Sequence, residues 1–236
     1  SRYIILSLLL LSMSFGCKVN TNDGSYAYVG GEIVNPKNNS IILFNTKGKV
    51  VDSLTLDSNN RFIYKIKDLN PGLYSFTHGG EYQLVLLEPN DSVMFRLNTY
   101  DFDESLVFTG KGARKNNYLI ETYLANEQQA SKLVHYAKME PEEFNAFVEE
   151  RRKKELTKFH NFLQDKEESE LFKSIIETNI NYNSYADKEI YPFAYFGNNK
   201  LIHIKDLPED FYDHRNYVDY NAAHLSHLYA YNRFLF

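Results

Sequence analysis

Phe108-Thr109-Gly110-Lys111-Gly112-Ala113-Arg114-Lys115-Asn116 is where the chain changes its period. Upstream, from Tyr26 to Thr109, short apolar or alternating runs are broken by turn residues about every 8–12 positions, the pattern of an all-β sandwich or barrel. Eight strands are predicted: Tyr26 to Val34, Ser40 to Asn45, Val50 to Leu56, Arg61 to Ile66, Leu73 to Thr77, Tyr82 to Leu87, Val93 to Leu97 and Leu106 to Phe108. Asn35-Pro36, Lys47-Gly48-Lys49, Asn70-Pro71-Gly72, Gly79-Gly80 and Pro89-Asn90-Asp91 punctuate them with fixed or positive φ and with side chains that close turns. Several of these connections are hairpin-like, so the expected sheet is antiparallel.

Downstream of Gly112 the apolar spacing becomes helical. A first helix is predicted over Asn116 to Lys138, with apolar side chains at Leu119, Tyr123, Leu133, Val134 and Ala137 around a polar middle, Asn126-Glu-Gln-Gln129. Pro141, followed by Glu142 and Glu143, opens a stronger one, because a first-turn proline loses no helical bond and acids suit the positive helix end. Phe144, Phe147, Val148, Leu156, Phe159, Phe162 and Leu163 recur in it at helical intervals. A third helix is predicted from about Glu168 to before Tyr191-Pro192, and Asn221 is placed as the cap of a last one bearing Leu225, Leu228 and Tyr229. The fold class expected is thus β and α in separate regions: an antiparallel β-sandwich over 26–110 and a helical region over 111–236.

The composition narrows the function. Nineteen Tyr and 17 Phe, without Trp, supply core material, and a dispersed net charge of −5 gives no attraction to nucleic acid. Cys17 is the single cysteine, so the chain can form no intramolecular disulfide and cannot perform dithiol chemistry. Gly-x-Ser-x-Gly, His-Glu-x-x-His and Cys-x-x-Cys patterns do not occur.

Four groups of residues invite a chemical reading. His214, with the i, i+3 pair His224 and His227, offers zinc-type ligands beside Asp213 and Asp219, but no third ligand on a rigid element and no orienting shell can be argued for them. Gly110 to Lys115 sets two glycines and several cations before a helix, without the third glycine of a dinucleotide fingerprint or the ending of a P-loop; a strand-to-helix linker accounts for it. Glu149-Glu-Arg-Arg-Lys-Lys-Glu155 reads as the solvated face of its helix. Asp101, Asp103 and Glu104 could serve a glycosidase or calcium site, but an exposed acidic loop between strands suffices. No catalytic, cofactor-binding or metal-binding residue is therefore assigned.

The N-terminus carries an address. Tyr3 to Gly16 is an apolar run too short for a bilayer span, which needs about 20 residues, but suited to the h-region of an export signal. Ser14-Phe15-Gly16-Cys17 resembles a bacterial lipobox: Gly16 fits the cleavage position, while Ser14 and Phe15 depart from the usual aliphatic and small residues. Residues 1–16 are expected to be a signal peptide, Cys17 the acylated N-terminus and 17–25 a tether. The opening Ser1, where an initiator Met is expected, suggests that the chain extends a few residues upstream, and the apolar ending Phe234-Leu-Phe236 suggests a further domain downstream. Lys18-Val-Asn-Thr-Asn22 lacks the acids of a surface-export signal, which favours the periplasmic side of the cell envelope.

Several phrases carry a resemblance: Gly30-Gly-Glu-Ile-Val-Asn-Pro36, Val51-Asp-Ser-Leu54 with Asn60-Arg-Phe62, Leu73-Tyr74, Leu87-Glu-Pro-Asn-Asp-Ser92, Leu97-Asn-Thr-Tyr-Asp-Phe-Asp-Glu-Ser-Leu106 and Leu207-Pro-Glu-Asp-Phe-Tyr212. In these, and in its order of segments, the chain resembles the N-terminal region of membrane-anchored TlpA-like thiol:disulfide oxidoreductases of the thioredoxin fold. The resemblance implies a non-catalytic accessory region that positions a downstream thioredoxin-like domain, whose Cys-x-x-Cys exchanges electrons with partner disulfides. A different expectation is a stand-alone binding lipoprotein that takes a glycan or peptide on its sandwich, with Tyr-rich stretches such as Tyr182 to Tyr195 as contacts.

Overall fold

The computed structural model describes residues 25–130, 136, 138–195, 202–222, 225–226 and 228–235. Eight strands come first: β1 (Ala27–Val34), β2 (Ser40–Phe44), β3 (Val50–Thr55), β4 (Arg61–Ile66), β5 (Gly72–His78), β6 (Glu81–Leu87), β7 (Ser92–Asn98) and β8 (Val107–Lys111). The helices follow: α1 (Ala113–Ala130), α2 (Pro141–Asp165), α3 (Glu170–Ala194) and α4 (Tyr229–Leu235), with single 3-10 turns over Ile204–Asp206 and Asp213–Tyr217. The change of period at Gly110 to Gly112 therefore separates all strands from all helices, as the sequence predicts.

The strands form two four-stranded sheets, ordered β4-β1-β7-β8 and β3-β2-β5-β6. Every pairing is antiparallel except β1 with β7, where Tyr28 to Val34 run alongside Ser92 to Asn98 in parallel. This corrects the expectation of a wholly antiparallel sheet. The hairpin turns connect near neighbours, whereas β1 and β7 are separated by five strands, most of them in the other sheet, and a pairing made after such an excursion is free to be parallel.

One core lies between the sheets. Val29, Ile33, Phe95, Leu97 and Phe108 of the first meet Ile41, Leu43, Phe76, Val85 and Leu87 of the second in a single cluster. Its centre is Phe76 stacked on Phe95, with ring centroids 4.4 Å apart. Gly31, paired with Phe95 on β7, makes room for that ring, since a Cβ on Gly31 would lie 2.8 Å from it.

A second core lies on the other face of β5 and β6. Leu73 and Leu86 pack there with Tyr118 of α1, Phe159 of α2, Phe172 and Ile176 of α3, and Leu228 and Phe234 near the C-terminus. With both faces covered, Val85-Leu86-Leu87 is a continuous buried run rather than an alternating one. A smaller cluster of Phe144, Val148, Tyr191 and Phe211 joins α2 to α3 and to the segment after it.

Helix boundaries depart from the predicted ones in three places. The first helix begins at Ala113 rather than Asn116, because Asn116 and Asn117 have other partners; Leu133, Val134 and Ala137 lie outside the described residues. The third begins after Ser169, whose hydroxyl accepts the N–H of Phe172, and continues through Pro192 to Ala194. A proline near the end of a helix leaves one carbonyl, here that of Lys188, without its helical donor. The last turn is held by tertiary contacts instead: Tyr191 stacks on Phe144 at 3.9 Å and donates its hydroxyl to the carbonyl of Met139. The last helix begins at Tyr229, eight residues after the predicted Asn221 cap, whose backbone N–H is taken by Asp219 in a local turn.

Candidate functional site

Three assemblies stand out, one where the sheets meet the helices, one among the helices and one lining a cleft. The first is the joint at the start of α1. Lys115 is buried, and its Nζ lies 2.5 Å from Glu88 Oε2 and 2.7 Å from Asp91 Oδ2, in the β6–β7 turn. Asp91 Oδ2 also accepts the N–H of Glu88, so the turn is shaped around the ammonium. Gly112 permits the approach: its φ is +96°, and a Cβ there would meet the Asp91 carboxyl at 2.9 Å. Asn116 then pairs with both backbone groups of Leu86, accepting its N–H at 2.7 Å and donating to its carbonyl at 2.9 Å. Asn117 does the same for Phe108, at 2.8 and 2.9 Å. Leu86 lies on β6 and Phe108 on β8, the edge strands of the two sheets, so consecutive amides of one helix close two sheet edges.

The second assembly fastens the helices to one another. Asp187 of α3 takes Arg151 of α2 at 2.5 Å and also Arg233 of α4. Buried Lys188 pairs with Glu149 at 2.7 Å, and Glu149 also accepts from Arg152. Burial works to raise the Glu149 carboxyl, but the hydrogen bonds from Lys188 and Arg152 outweigh it and hold the group below its ordinary range. Glu189 receives His214 Nε2 at 2.8 Å together with Arg215, and its carboxyl is likewise held low against the effect of burial. His214 is buried and stacks on Tyr185, with centroids 4.9 Å apart. Burial depresses its pKa, against the pull of Glu189, so the ring is neutral and donates Nε2–H to that carboxylate. Its Nδ1 is buried without a partner among the described residues, as are Asn145 Oδ1 and Ser184 Oγ.

The third is a cleft of about 690 Å³ between the outer face of β5 and β6 and the start of α3, within the roughly 300–1,000 Å³ of ligand sites. Two turns form its rim. In the β2–β3 turn, Asn45 Oδ1 accepts the N–H of Lys47 and of Lys49, at 2.9 and 3.0 Å. In the β4–β5 connection, Asn70 donates to Thr46 Oγ1 at 3.2 Å, which ties the two turns together, and Tyr74 donates to the Asn70 carbonyl. Leu73, Leu84 and Leu171 form an apolar floor. Lys47 is the one charged side chain among the described lining residues, and none of these is aromatic.

The residues singled out in the sequence are distributed among these assemblies. Lys115 of the Gly110 to Lys115 stretch is spent on Glu88 and Asp91, and Arg114 reaches Glu168 and the Phe162 carbonyl, so the stretch is a linker in which these two cations are internally paired while Lys111 is exposed. The block Glu149 to Glu155 is only half solvated. Glu150, Lys153 and Lys154 are exposed, whereas Glu149, Arg151 and Arg152 turn toward α3. Asp101 and Glu104 are exposed as expected of an acidic loop, while Asp103 accepts from Gln83 at 2.9 Å and is raised by burial. Asp213 begins a 3-10 turn, and the Asp219 carbonyl accepts the hydroxyl of Tyr231. In the Tyr-rich stretch, Tyr182 and Tyr191 are core residues and Tyr185 and Tyr195 are half-buried, whereas Phe193 is exposed. Cys17, the expected signal segment 1–16, the expected tether up to residue 24, and His224 and His227 lie outside the described residues. Among the described residues no group of three or more His, Cys, Asp or Glu could hold a metal ion, and no helix is long and apolar enough to cross a membrane.

The cleft is what the sequence reading missed. Lys47-Gly48-Lys49 and Asn70-Pro71-Gly72 are legible as turns, but nothing local says that the two turns come together, or that Leu171 closes the space from 100 residues away. Compared with known proteins, the chain matches no family model, no curated protein and no solved structure.

Proposed function

We propose that this chain is the non-catalytic accessory region of a lipid-anchored thiol:disulfide oxidoreductase, holding a downstream thioredoxin-like domain at a fixed place in the cell envelope, on its periplasmic side. The two sheets are read as a closed sandwich around the Phe76–Phe95 stack, with Cys17 as the point of acylation. The observation that supports a positioning role is the use of the buried and half-buried charges. Lys115, Lys188, Glu149 and Asp187 are all engaged in joints that lock strands to helices and helices to each other. A spacer that orients another domain needs that rigidity, whereas a reacting group needs an open side.

The test is to read the gene past the codon for Phe236 and to label the expressed product with radioactive palmitate. A strand followed by Trp-Cys-x-x-Cys, together with label lost in Cys17→Ala, is the expected result. A stop codon close behind Phe236 removes the redox reading, and label unaffected by the substitution removes the anchor.

A second reading, a binding lipoprotein, is favoured by the cleft. Its rim is rigid before any ligand arrives, as preformed sites are. Without an aromatic platform the cleft suits a peptide better than a neutral sugar, whose faces stack on rings.

A further inference from the structure

The cleft beside the β2–β3 turn is lined by three kinds of surface, and together they describe a ligand. At the rim stands Lys47, exposed and without an ion pair among the described residues. In the two rim turns are Asn45 and Asn70, whose carboxamides are only partly engaged: Asn45 uses its oxygen on the turn, and Asn70 uses its nitrogen on Thr46. Each therefore keeps its complementary atom, an N–H₂ donor on Asn45 and a carbonyl acceptor on Asn70. The floor is Leu73, Leu84 and Leu171, with Leu84 40% exposed.

A donor and an acceptor on opposite turns match the carbonyl and N–H of a peptide group. An apolar floor takes a side chain, and an unpaired ammonium takes a carboxylate. We infer that the cleft binds a short acidic peptide segment, with its carboxylate on Lys47, its backbone amide between Asn45 and Asn70, and an apolar side chain over Leu73 and Leu84. This inference rests on the binding reading above and adds the class of ligand and the residues that select it. Rigid turns favour such a site, because little ordering entropy is left to lose on binding.

The experiment uses the full chain, labelled with nitrogen-15, titrated with acetyl-Ala-Leu-Ser-Glu and with the same peptide ending in Gln amide. Amide shifts are read by NMR for the wild type, for Lys47→Glu and for Ser75→Phe, which fills the wall of the cleft from a half-buried strand position. Shifts concentrated at Gly48, Gly72 and Leu84 are expected. Affinity should fall about fivefold for the Gln peptide and for Lys47→Glu at low salt, as for an exposed charge pair reversed, and this difference should shrink as salt is added. Ser75→Phe should abolish the shifts while leaving the rest of the spectrum in place. Shifts elsewhere on the chain that ignore both substitutions would overturn the cleft assignment and leave the binding reading standing. No shifts at millimolar peptide would overturn both, and equal affinity for the acid and amide peptides would overturn the selection by Lys47.

Discussion

Substituting Lys115 by methionine removes the ammonium from the joint and keeps most of its volume. In the folded protein the Lys115 side chain is 5% exposed, and its two partners, Glu88 and Asp91, are 17% and 6% exposed. The variant leaves two carboxylates facing one another in a site sealed by β6, β7 and α1. Breaking a buried pair by removing one partner costs about 3–5 kcal/mol, because the remaining charge is neither solvated nor compensated. With a urea m-value of about 2.5 kcal/mol/M for a chain of this size, the midpoint of urea unfolding should fall by roughly 1–2 M with the slope unchanged. Lys37→Met is the control. Its partner Glu81 lies at 2.6 Å, a similar separation, but both side chains are 44% exposed, so the loss should stay below about 1 kcal/mol. Equal midpoints for the two variants would refute the claim that burial, rather than distance, makes the Lys115 joint strong. A triple variant with Glu88→Gln and Asp91→Asn added to Lys115→Met should recover much of the loss, since no charge is then left buried.

Asn116→Ala leaves the N–H and C=O of Leu86 unpaired in the interior, so stability should drop by about 2–4 kcal/mol, and hydrogen exchange at the Leu86 amide should accelerate more than at Val85. Gly31→Ala puts a methyl against the carbonyl and ring of Phe95, at 2.6 and 2.8 Å, so about 1–3 kcal/mol should be lost together with the ring-current shifts of the Phe76–Phe95 stack; an unchanged aromatic spectrum would contradict that core. His214 has a folded pKa below its unfolded value of about 6.5, so the unfolded chain binds the extra proton first. Stability should thus be full above that value and decline as pH falls below it, and His214→Phe should flatten this part of the profile. Glu149 and Glu189 are depressed relative to about 4.5, so their contribution is present above that value and lost at lower pH, as the folded carboxyls take up protons. A single acid transition below pH 4 in both wild type and His214→Phe would show that His214 is not coupled to folding.

What was legible in the sequence followed from local chemistry. Strand limits were set by residues that force turns, such as Asn35 and Asn90 at positive φ, and seven of the eight strands fall within one residue of their predicted ends, while β8 runs three residues further, to Lys111. Helix limits were legible where a cap or a first-turn proline acts on its own neighbours, as at Pro141, and failed where tertiary contacts overrule them, as at Pro192 under the Tyr191–Phe144 stack. The parallel pairing of β1 with β7 leaves no mark on either strand, because alternation looks the same for both directions.

The candidate site was illegible for a related reason, best seen in Asn116-Asn117. Asparagine side chains readily bond nearby backbone groups, and nothing in the local sequence says which. In the folded chain those side chains do bond backbone, but it is the backbone of Leu86, 30 residues upstream, and of Phe108, 9 upstream. The partners leave no local mark, because only the sheet order brings the edges of β6 and β8 to the same turn of α1. The cleft follows the same logic. Asn45 and Asn70 each satisfy a turn with one atom of a carboxamide that has two, and the spare atoms acquire a use only when the β2–β3 and β4–β5 turns are set side by side. A residue chosen for its turn thereby becomes half of a peptide-sized site at no further cost in stability, which is why Asn45→Asp, retaining the turn acceptor but not the spare donor, should weaken the acidic peptide more than it weakens the fold.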